Sequence, residues 1–155
     1  TLDAEYHMGD DVLVAPIIVG SRHGVPNDPA PASGGEAQRS VYLPAGDWHD
    51  FWTGERFSGK QRITVRVGLE RIPLFVKSGT VLPLAHPTLH TDDPASWQLT
   101  AMVYGDGSHV ARLFEDDGSF TPALREVQLE WSATARAGRL LGATRYSVAE
   151  WKIRP

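Results

Sequence analysis

The sequence predicts an all-β chain folded as antiparallel β-sandwiches. Three observations carry that reading. Apolar residues recur with a period of two or in short β-branched runs. No segment shows a capped apolar stripe at helical spacing. Gly, Pro and Asp turn signals break the runs at short intervals, as in sandwiches.

Taken in order, Val12-Leu13-Val14-Ala15-Pro16-Ile17-Ile18-Val19 is continuously apolar and suits a strand covered on both faces. Residues 20–40, dense in Gly, Pro, Ala and Ser, are too poor in large apolar groups to offset their ordering entropy and read as a long mobile loop. Ile63-Thr64-Val65-Arg66-Val67 alternates strictly, with one face buried and one wet. The runs Ile72–Val76 and Thr80–Leu84 flank a turn at Lys77-Ser78-Gly79. Pro73 and Pro83 within them point to edges or strand ends. Trp97–Tyr104 and His109–Phe114, joined by Gly105-Asp106-Gly107-Ser108, read as a hairpin. Val127, Leu129 and Trp131, then Trp151 and Ile153, mark two further half-exposed strands. A polar Pro-containing joint from His86 to Pro94 places a domain boundary there, giving residues 1–90 and 91–155.

Composition narrows the function classes. A net charge of −4, with Lys and Arg scattered, offers no footprint for nucleic acid or an anionic membrane. The longest apolar run is far below the roughly 20 residues that a membrane-spanning helix needs. The absence of cysteine excludes disulfides and thiolate chemistry and is compatible with a reducing, cytoplasmic compartment. The opening Thr1-Leu2-Asp3-Ala4-Glu5 has neither Met nor a basic signal-peptide region, and reads as the interior of a longer chain.

Four stretches together carry a family resemblance: Met8–Ile17, Val41–Glu55 (VYLPAGDWHDFWTGE), Arg71–Pro83 (RIPLFVKSGTVLP) and Leu113–Gly118 (LFEDDG). In this order and spacing they resemble the region that follows the catalytic barrel in family 31 glycoside hydrolases. The departures are a Pro/Gly-rich insertion near residues 23–38 and a poor match after about residue 120. The resemblance implies a proximal β-sandwich over 1–90, a distal one over 91–155, and a (β/α)₈ barrel in cis as partner. The implied parent is a retaining α-glycosidase acting on α-glucosides, α-xylosides or related sugars.

It also implies that this chain has no catalytic residues. Glycoside hydrolysis needs two flanking carboxyl groups, one tuned to a higher pKa than the other. In the resembled family both lie on the barrel, and neither motif has a counterpart here. Asp10 and Asp11 read as turn and strand-start residues. Glu115, Asp116, Asp117 and Gly118 read first as a β-turn; the alternative is a Ca²⁺ site made by the three carboxylates. None of His7, His23, His49, His86, His90 and His109 has zinc-like spacing, and no other cofactor is expected. Trp48 and Trp52 are even-spaced. They either share one face and fill the core, or stack on sugar rings as in a carbohydrate-binding module. A free-standing module of that kind is the alternative to the barrel-supporting role.

Overall fold

The computed structural model describes residues 5–16, 36–68, 70–90, 93–116, 120–121 and 123–155. The chain divides into two compact units, the first ending at Ser78 and the second beginning at Gly79.

In the first unit, a five-stranded antiparallel sheet has the order β1 (Tyr6–Met8), β2 (Val12–Val14), β7 (Leu74–Lys77), β4 (Asp47–Asp50), β5 (Arg56–Ser58). Opposite it lies a ribbon of β3 (Glu36–Leu43) and β6 (Gln61–Gly68), paired from Glu36↔Gly68 to Leu43↔Gln61. Leu13, Ala15, Val41, Leu43, Trp48 and Phe75 fill the space between, none more than 2% exposed, with Phe57, Ile63 and Val65 packed against them. Each large side chain among these contributes about 2 kcal/mol on burial, so alternation on β3 and β6 is what closes the sandwich.

The second unit is a sandwich of two three-stranded sheets. One has the order β10 (His109–Glu115), β11 (Arg125–Ser132), β12 (Ala137–Leu141); the other runs β13 (Ser147–Arg154), β9 (Gln98–Tyr104), β8 (Val81–Ala85). Val81, Ala101 and Val103 from one sheet meet Leu129 and Trp131 from the other. All pairings are antiparallel except β13 with β9, which is parallel. Among the described residues the helical content is a single 3₁₀ turn, Pro94–Trp97, capped by the Asp93 side chain. No helix there is long and apolar enough to cross a membrane.

Several expectations change. The unit boundary falls in the turn itself: Ser78 N donates to Asp47 O and Gly79 N to Tyr104 O, both at 2.8 Å. Thr80–Leu84 therefore belongs with the second unit, and the residue 90/91 division does not coincide with the observed one. Pro83 lies in β8, an edge strand, where its missing N–H leaves no ladder bond unmade. Trp97–Tyr104 and His109–Phe114 form no hairpin. The Gly105–Ser108 turn carries the chain from one sheet to the other, because β9 is already flanked by β8 and β13. The Gly/Pro-rich loop lies largely outside the described residues, as do Ile17–Val19, but its last part, from Glu36 onward, is strand.

Candidate functional site

Two clusters gather the residues singled out by chemistry, one in each unit. The first is the β4–β5 hairpin, in register Asp47↔Ser58, Trp48↔Phe57 and His49↔Arg56. Its turn is fixed by Asp50, whose Oδ1 accepts from Trp52 N at 2.8 Å, Thr53 N at 2.7 Å and Thr53 Oγ1 at 3.1 Å. Gly54, at φ 79°, supplies the left-handed residue that returns the chain.

Strand alternation ends at Asp50, so Trp48 and Trp52 do not share a face. Trp48 is 1% exposed, donates Nε1–H to Pro44 O at 3.0 Å, and meets His7 edge-on at 5.8 Å. It is a core residue with no ring face open to a ligand. Trp52 sits in the turn and is 39% exposed. Its Nε1–H donates to Ile72 O at 2.8 Å, the Phe51 ring stands edge-on at 4.9 Å, and the Arg71 guanidinium lies 5.7 Å from its centroid. Arg71 forms no ion pair among the described residues. Its motif, Arg71–Pro83, does not mark this contact, because only the fold brings it to Trp52.

The second cluster surrounds Glu115. This residue ends β10 and is 3% exposed, rather than standing in a solvated turn. Its Oε2 accepts from Thr144 Oγ1 at 2.8 Å and its Oε1 from Arg145 Nε at 2.6 Å. The Thr144 hydrogen bond foremost, assisted by Arg145 and opposed by burial, holds the Glu115 carboxyl below its ordinary pKa. Arg145 also donates from Nη2 to Asp116 O at 3.1 Å and lies 3.8 Å from the Trp97 ring centroid. Glu115 is thus turned toward a cation of the chain's own. The Asp116 side chain is exposed, and Asp117 lies outside the described residues. Among the described residues no three His, Cys, Asp or Glu side chains are grouped to hold a metal ion. Thr144 and Arg145 were not legible from sequence, since they reach Glu115 from 29 and 30 residues away.

Several other described carboxylates have structural uses. Asp10 and Asp11 are exposed in the β1–β2 turn. Asp47 pairs with Arg56 at 2.8 Å, Asp93 caps the 3₁₀ turn, and Glu130 pairs with Arg139 at 2.9 Å. A glycosidic acid must have its pKa raised by its surroundings; Glu115, the buried carboxyl, is shifted in the opposite direction. Of the histidines, His49 is fully buried and His90 exposed, while His23 lies outside the described residues.

Comparison with known proteins then places the chain. Residues 1–82 match the sequence profile of the glycosyl hydrolase family 31 C-terminal domain. The chain is 32% identical over 117 residues to the α-xylosidase of Saccharolobus solfataricus, covering 75% of this chain and 14% of that protein. It is 30% identical over 115 residues to α-glucosidase 2 of Bacillus thermoamyloliquefaciens, covering 74% and 13%. The fold superimposes on the family 31 α-xylosidase of Xanthomonas citri with a TM-score of 0.68 at 28% identity, over 96% of this chain and 16% of that one.

Proposed function

Since this chain belongs to glycosyl hydrolase family 31, matching its C-terminal domain, we propose that it is the non-catalytic β-sandwich region of a retaining α-glycosidase. It would support a catalytic barrel in cis, and the parent would act on α-glucoside-type sugars. The observation that carries this reading is the mismatch of lengths: the chain aligns over three quarters of itself to enzymes of which it spans only 13–14%. The bulk of such an enzyme lies outside the matched region. The uses found for the described carboxylates, as caps, salt bridges and a buried latch, agree with a scaffold.

The supporting role is tested in the parent enzyme. Removal of residues 1–155 is expected to lower its melting temperature and leave it insoluble or inactive. A truncated parent with unchanged melting temperature and turnover would contradict the role. The exposure of Trp52 favours one second reading, a free-standing carbohydrate-binding module. The coding frame upstream of Thr1 separates the two, because a barrel with an acidic nucleophile motif there supports the first and its absence the second.

A further inference from the structure

We infer that Trp52 and Arg71 form a surface binding site for the glucosyl rings of an α-glucan chain. The inference rests on the reading above only for the choice of sugar. The site itself rests on geometry within the first unit.

The indole is held before any ligand arrives. Asp50 fixes the turn at Trp52 and Thr53 by accepting from both backbone N–H groups and from the Thr53 hydroxyl, Ile72 O takes the ring's one donor, and Phe51 braces it edge-on. A ring so fixed loses little freedom on binding. Its donor is spent inward, so what it offers outward is apolar surface and π-electron density. The face of a glucopyranose presents C–H groups of partial positive charge, which fit that density. Its rim presents hydroxyl groups, which need donors and acceptors.

Arg71 supplies the donors. At 5.7 Å from the centroid its guanidinium stands off the ring near the outer limit of a cation–π contact. It has no carboxylate partner among the described residues, so its N–H groups remain available to sugar oxygens. Thr53, Glu55 and Arg71 are exposed, giving the indole a polar border. An interface built for another protein would favour a continuous apolar patch depleted in charge. Ile72, whose carbonyl holds the indole, is also exposed, but a fixed aromatic otherwise bordered by hydrogen-bonding groups fits a sugar better.

The test is affinity electrophoresis of the 155-residue chain through gels containing glycogen or soluble starch, with hydroxyethylcellulose as the β-linked control. Glycogen and starch are expected to retard the chain and the control to leave it unaffected. Trp52→Ala is expected to weaken retardation at least tenfold. Arg71→Ala should weaken it about tenfold, as loss of a charged hydrogen bond does. Trp52→Phe, which keeps a ring, should retain part of it, and Phe120→Ala, which removes a fully exposed aromatic elsewhere, should change nothing. Near-ultraviolet circular dichroism confirms that each variant is folded. Free migration in both α-glucans, or retardation that survives Trp52→Ala, would overturn the site. So would an unretarded chain whose Trp52→Ala variant lowers the melting temperature of the parent enzyme, which would assign the indole to a contact between domains. None of these outcomes bears on whether the parent has a barrel.

Discussion

Each unit of this chain sets an arginine against a tryptophan, and the two pairs differ in one respect. In the second unit Arg145 lies 3.8 Å from the Trp97 centroid; in the first, Arg71 stands 5.7 Å from Trp52. Arg145 is gripped by the buried Glu115, so its guanidinium is fixed close against the indole. Arg71 has no such anchor among the described residues, and its indole remains 39% exposed. The same two residue types make a latch where a buried carboxylate completes them and an open platform where none does. A cation–π contact alone is worth about 0.5–1 kcal/mol at an exposed site and about 2 when desolvated. The carboxylate therefore decides whether the pair serves stability or remains available to a ligand.

Three substitutions press on that contrast. Glu115→Gln should have the largest effect, because it weakens the hold on Arg145 and Thr144 inside the sandwich. Urea melts at pH 7 should show a loss of about 2–3 kcal/mol. The carboxyl of Glu115 has its folded pKa depressed. Its stabilisation is fully present above the unfolded value of about 4.3 and is lost as pH falls through the lower folded value. The gap between wild type and variant should therefore narrow in melts taken at progressively lower pH below that unfolded value; a gap that widens would contradict the latch.

Gly138→Ala asks whether ring packing in the second unit is closed throughout. Trp131 and Trp151 stack at 5.8 Å with an interplanar angle of 29°. A Cβ at Gly138 would lie 2.1 Å from Cε2 of Trp151, so the stack has to shift. Overpacking of this kind should cost about 2 kcal/mol, read as a lower denaturation midpoint with an unchanged slope. Trp52→Ala should cost least, about 0.5 kcal/mol, since the ring it removes is the exposed one. A cost equal to that of Glu115→Gln would dissolve the distinction between platform and latch.

The strands were legible in the sequence, and their partners were less so. Val127, Leu129 and Trp131 alternate with polar residues, and the structure buries all three. Trp151 and Ile153 likewise fall in a strand. The Gly105–Ser108 turn was legible as a reversal, yet a turn signal says nothing about which sheet receives the chain. The run Ala101-Met102-Val103-Tyr104, buried without alternation, is the local trace of a strand covered on both faces. Pairing with β13 depends on residues nearly 50 positions away. Trp48 and Trp52 show the same limit, because even spacing implies a common face only while the strand lasts, and Asp50 ends it. Arg145 lies outside the four motifs, and the motif that Arg71 opens does not say which ring it meets; both matter through contacts made only in the fold, Arg145 with Glu115 and Trp97 and Arg71 with Trp52. Family membership, by contrast, was legible in four short motifs, since these preserve turn chemistry and core positions that local sequence specifies.

The most direct measurement incubates the purified, folded 155-residue chain with an aryl α-glucoside and an aryl α-xyloside and follows release of the phenol. A scaffold without its own acid and nucleophile should give no release above the buffer rate. Steady turnover that disappears when one carboxylate of this chain is replaced by its amide would place an active site here and contradict the non-catalytic assignment.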